Sequence, residues 1–120
     1  MVGAMNITRI YTGDDAQSHF EEIDIELEVG AAGLISAPWP AKAVLFREVE
    51  GSYDLDFHTA PRRQLVVNLT GSVEIETGDG SVRRLGPGDI LLAEDTTGQG
   101  HISRAVDGEP RKCLFIPLAD

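Results

Sequence analysis

One cysteine, Cys113, stands in 120 residues. No disulfide can form within the chain, and a reducing, cytoplasmic home is the expectation. Long apolar runs are missing too: nothing approaches the roughly 20 residues of a membrane-spanning helix. The N-terminal stretch MVGAMNITRI has no basic region leading into an apolar one, so no secretion signal is expected. Met5 offers an alternative start, with MVGA before it as an extension. Positive charge is scarce, 10 Lys and Arg against 20 Asp and Glu, for a net charge of −10. A field of that sign repels phosphate backbones and anionic bilayers, so neither nucleic acid nor membrane is an expected partner. Arg62, Arg63, Arg83 and Arg84 are the main exceptions. These two adjacent pairs have forked donors that suit a phosphate or carboxylate, or they stand solvated at strand ends.

Helical periodicity is nearly absent as well, and only Asp14 to Phe20 has room for a turn of helix. What the chain does have is alternation and turn chemistry. In FEEIDIELEV, residues 20–29, Ile23, Ile25, Leu27 and Val29 share one face and Glu22, Asp24, Glu26 and Glu28 the other, the period of a half-buried strand. Further strands are expected at residues 7–11, 44–49, 53–58, 64–69, 73–77, 81–85, 90–93, 101–106 and 113–118. Between them lie Gly51-Ser52, Pro61-Arg62, Thr70-Gly71, Gly78-Asp79-Gly80, Gly86-Pro87-Gly88-Asp89 and Asp107-Gly108. Residues 30–42, with Pro38 and Pro40 around Trp39, read as a loop or irregular edge. The expected class is therefore all-β, a sandwich or a barrel, in a single domain. LVVNL and ILLA are apolar on both faces and need cover on both, from the N-terminal strands or from a second copy of the chain.

Two histidines stand at strand ends. On residues 53–60, Asp54, Asp56, His58 and Ala60 share a face; after the Pro-Arg-Arg turn, Gln64, Val66 and Asn68 share one. Downstream, GPGDILLAEDTTGQGHISR places His101 behind a Pro-Gly-Asp turn, a strand and a polar loop. In these residues the chain resembles a small single-domain cupin, a double-stranded β-helix of the jelly-roll barrel type. Gly51, His58, Gln64 and Gly71 match that family's first motif, and Gly88, Asp89 and His101 its second, over roughly residues 43–118. The resemblance implies a barrel core over 43–120, with N-terminal strands and loop, 1–42, covering it. It also implies a homodimer paired through an outer sheet, and a divalent first-row ion (Mn, Fe, Ni or Zn) on His58, Gln64 and His101. Two positions depart from the pattern: Ala60 stands where metal-binding members carry a second histidine, and Gln64 where most carry glutamate. A neutral amide is a weaker ligand than a carboxylate, and Asp56 is the nearest source of an anionic oxygen.

Three functions follow as expectations. One is a metal-dependent lyase, isomerase or dioxygenase acting on a small polar molecule, with no organic cofactor. Another is a metal-free isomerase or dehydratase with His58 and His101 as catalytic residues, a neighbouring carboxylate (Asp56 or Asp95) orienting the base, and Arg62, Asp56 and Asn68 holding substrate. The third is a module that binds a small ligand and does no chemistry.

Overall fold

The computed structural model describes residues 2–119, and every regular element in them is a strand. In chain order they are β1 (Val2–Thr12), β2 (Ser18–Gly30), β3 (Gly33–Ile35), β4 (Leu45–Val49), β5 (Asp54–His58), β6 (Gln64–Thr70), β7 (Val73–Thr77), β8 (Val82–Leu85), β9 (Ile90–Glu94), β10 (His101–Ala105) and β11 (Arg111–Pro117). A seven-stranded sheet runs β3-β2-β1-β9-β6-β11-β4, and a four-stranded sheet runs β5-β10-β7-β8. Among the described residues no pairing joins the two, so the sheets form a sandwich and do not close into a barrel.

Alternation along the strands builds the two apolar layers. On β9, Leu91 and Ala93 face the small sheet and pack with Ile10, Ala60, Val73, Ile75 and Leu85, while Phe20 and Val66 close around them. Ile90 and Leu92 point the other way and meet Ile7, Ile23, Ile25, Leu65 and Leu118. This is the two-sided burial that ILLA requires; in LVVNL Leu65 and Val66 share it, while Leu69 at the end of β6 stays 47% exposed. Each fully buried aliphatic side chain stabilises the fold by about 1.5–3 kcal/mol, and Ile10, with no exposed surface, is the best placed.

The N-terminal strands give this cover by extending the large sheet instead of lying over it. β1 runs parallel to β9, with Thr8 opposite Leu91 and Ile10 opposite Ala93, and β2 pairs back along β1 from Val2–Glu28 to Thr12–Ser18. The helical turn expected near Asp14 does not form, because Ser18, His19 and Phe20 are taken up by that ladder. The reversal runs Gly30-Ala31-Ala32-Gly33, with Gly33 at φ of +113°; β3 read as loop because it is only three residues long and is followed by Pro38 and Pro40. The outer face of β1–β3 and the edge strand β4 leave Met5 (51%), Val29 (62%), Ile35 (65%) and Phe46 (84%) exposed.

Candidate functional site

Between the sheets lies a cavity of about 230 Å³. Gln64, Val66 and Asn68 line it from β6, as their shared face requires, and His101 and Ser103 line it from β10. The Pro87-Gly88 turn is part of its frame. Gly88 takes φ of +88°, the left-handed value that the third position of a type II turn demands. Its N–H donates to the Asn68 carbonyl at 2.7 Å, and the Asn68 N–H donates to the Asp89 carbonyl at 3.0 Å. The Asn68 side chain is 3% exposed, with Nδ2 donating to the Gly71 carbonyl at 2.6 Å and Oδ1 buried without a partner.

His58 enters the cavity by way of a break in the strand period. On β5, Leu55 stands opposite Ser103 and His58 opposite His101, so two residues, Asp56 and Phe57, oppose the single Ile102. That is a β-bulge, which re-aims the side chains after it. Leu55 and His58 therefore both face inward, and both line the cavity. Asp56 faces solvent. Its carboxylate accepts from the Phe57 N–H at 2.8 Å, and its carbonyl accepts from His58 Nδ1 at 2.8 Å. The expected face shared by Asp56 and His58 is thus split by the bulge, and the Asp56 side chain does not reach the cavity. Arg62 is exposed and also outside the lining; its Nη1 donates to Gln64 Oε1 at 3.2 Å.

The two imidazoles meet with ring centroids 4.5 Å apart and planes at 58°. Gly100, with φ of +79°, allows the approach: a Cβ there would sit 2.0 Å from the His58 carbonyl oxygen. Of the two carboxylates considered as orienters, the structure selects Asp95. Its Oδ2 lies 2.5 Å from His101 Nδ1 and accepts from Ser18 Oγ at 2.7 Å. Asp95 has no exposed surface, His101 has 6%, and Asp95 Oδ1 finds no partner. The Asp95 carbonyl accepts from the Ala60 N–H at 3.0 Å, tying this corner to the segment after His58. Burial holds the His58 imidazole below its ordinary pKa, and the adjoining His101 ring adds to the effect, against the pull of the Asp56 carbonyl. His58 is accordingly neutral at pH 7, with its proton on Nδ1 and a lone pair on Nε2.

His58, Gln64 and His101, the three expected metal donors, all line the cavity. The imidazoles fit, because each commits Nδ1 to an oxygen and leaves Nε2 free, the usual second-shell arrangement of a ligating histidine. The third, Gln64 Oε1, accepts from the Arg62 guanidinium at 3.2 Å with one of its two lone pairs, and as a neutral amide it is the weakest donor of the set. Among the described residues no group of three or more His, Cys, Asp or Glu side chains is arranged to hold a metal ion.

Sequence reasoning missed four residues at this site: Ser18, Arg47, Tyr53 and Arg111. Arg111 was legible in principle, since it alternates with Cys113 and Phe115 on one face of β11. Ser18 was not, because its contact with Asp95 spans 77 residues of chain. No family model matches the chain, and no curated protein does. Among solved structures it is similar to protein NMB1881 from Neisseria meningitidis, at 17% identity and a TM-score of 0.49, over 71% of this chain and 89% of that one. A likeness of that size assigns neither a family nor an activity.

Proposed function

We propose that the cavity is the active centre of an enzyme that moves protons on a small molecule without a metal ion, in a sandwich of the cupin jelly-roll type. The observation that carries this reading is the paired arrangement of His58 and His101 over the buried Asp95. Two imidazoles this close do not both carry charge readily, which favours a division of roles between them. His58, neutral, is the base. His101 faces the Asp95 carboxylate, which fixes its orientation and faces the imidazolium when it forms, so His101 is the acid.

A proton removed by His58 Nε2 from a carbon beside a carbonyl and returned to a neighbouring atom by His101 Nε2 completes an isomerisation. If the proton from His101 goes instead to a departing hydroxyl, the product is an alkene and water, a dehydration. The Asn68 Oδ1 acceptor, the Ser103 hydroxyl and the apolar walls position the substrate. Cupin membership is supported by the motif residues. The histidines and Gln64 line the cavity, and the Pro-Gly-Asp turn frames it from below.

The test is a screen of small keto- and hydroxy-acids in deuterated water, followed by NMR. Deuterium uptake at carbon or loss of water is expected for at least one compound. Activity should fall about 100-fold or more in His58→Gln and in His101→Gln, with both variants shown to be folded at the assay temperature by circular dichroism. Turnover that survives both substitutions overturns the reading, and so does a ligand that stabilises the protein yet never exchanges or reacts.

A further inference from the structure

Part of the cavity wall is built from a different chemistry. Tyr53 stands five residues before His58, and two guanidiniums gather around it. Arg47 lies 5.1 Å from the Tyr53 ring centroid and 5.0 Å from that of Phe115, and Arg111 lies 6.0 Å from Tyr53. Both arginines line the cavity. Arg111 is 6% exposed, and its Nε is buried without a hydrogen-bond partner. The hydrogen bonds that Arg47 Nη1 and Arg111 Nη2 do make run to Cys113 Sγ at 3.9 Å, a weak acceptor. No Asp or Glu pairs with either among the described residues, although acidic residues outnumber basic ones two to one in this chain.

A guanidinium out of water and without an anion is costly, and aromatic faces offset only part of that cost. Burial correspondingly pushes the Arg111 pKa below the usual arginine range. A fork-shaped donor with a free N–H, beside a second guanidinium and inside a cavity, matches the two oxygens of a carboxylate. Much of the remaining wall is apolar, with Leu55, Val66, Ile75, Leu85 and Leu91, interrupted by Gln64, Asn68 and Ser103. Size sets the last limit. An apolar cavity of about 150 Å³ takes benzene, so 230 Å³ leaves room for one ring or a short chain with its carboxylate.

From these observations we infer that Arg111 and Arg47 form an anion subsite for a small amphipathic monocarboxylate whose apolar body lies along the cavity toward the two histidines. This names the substrate class of the proposed proton-transfer enzyme and rests on that reading for its chemistry, though not for its binding. The subsite also gives Arg111 the counter-ion that the chain itself does not supply.

Calorimetric titration with benzoate and hexanoate, beside the uncharged benzamide and hexanamide and inorganic phosphate, tests it on the full chain. The carboxylates are expected to bind, and their amides to bind about tenfold more weakly or worse, the loss expected for a charge-assisted hydrogen bond. Arg111→Met and Arg47→Met should each weaken carboxylate binding by about tenfold or more. Arg111→Lys, which keeps the charge but not the fork, should fall between Arg111→Met and wild type. If Arg111→Met fails to fold, Arg47→Met and Arg111→Lys still decide. His101→Gln should bind benzoate as wild type does. That result supports the subsite whatever becomes of turnover, so a failure of the acid–base reading shows separately. Equal binding of amide and carboxylate, full binding to the arginine variants, or no binding of either carboxylate overturns the subsite. Phosphate binding tighter than both carboxylates overturns the assignment of substrate class.

Discussion

His101 Nδ1 and Asp95 Oδ2 lie 2.5 Å apart, with the carboxylate fully enclosed. A buried contact of this kind sets the orientation of the ring and contributes to stability at once. Asp95→Asn keeps the shape but replaces the anionic acceptor, and turnover should fall by about 100- to 10,000-fold. Asp95→Ala leaves Ser18 Oγ and His101 Nδ1 without their acceptor, at about 1–3 kcal/mol for each group left unsatisfied. Urea unfolding measures the loss, and an unchanged midpoint in Asp95→Ala means that the contact is not made in solution.

His58 links stability to pH. Its folded-state pKa lies below the ordinary imidazole value because burial disfavours the charged ring, whereas in the unfolded chain it titrates near about 6.5. The unfolded state therefore binds protons more readily as pH falls. The His58 contribution is fully present above about pH 6.5 and is lost as pH drops through the folded-state value. Urea midpoints between pH 7.5 and pH 5 should decline less steeply for His58→Gln than for wild type. Parallel curves would show that the ring is solvated.

Gly100 holds the imidazoles together. Its positive φ disfavours any side chain, and a Cβ would collide with the His58 backbone carbonyl, an atom that cannot swing aside. Gly100→Ala should cost about 1–3 kcal/mol and abolish turnover by parting β10 from β5. A variant with native melting temperature and full activity would contradict that geometry.

Added Mn, Fe, Ni or Zn should leave the melting temperature within about 1 °C, since an ion that does not bind the folded state adds nothing to its stability. A rise of several degrees at micromolar metal, abolished in His58→Gln, would mean that Gln64 turns away from Arg62 to ligate and that the metal-free reading is wrong.

Local periodicity explains which parts of this molecule were legible in the chain. Ten of the strands follow from period-two alternation bounded by Gly and Pro. The shared face of Gln64, Val66 and Asn68 is the same argument, and all three do line the cavity. β3 escaped because three residues ahead of Pro38 and Pro40 are too few to show a period, and the expected helical turn failed because pairing with β1 outweighed local preference.

What the sequence determined alone was the all-β class, the two-sided burial of ILLA and of Leu65 and Val66, and the inward face of β6, since each depends only on neighbours along the chain. Tertiary structure decided that the sheets stay open as a sandwich. It also decided that a bulge turns His58 inward and Asp56 out, that Asp95 and not Asp56 meets an imidazole, and that Arg111 is enclosed without an acid. Those outcomes rest on registers between strands far apart in sequence, and one extra residue in a ladder exchanges the two faces, so no run of local residues encodes them.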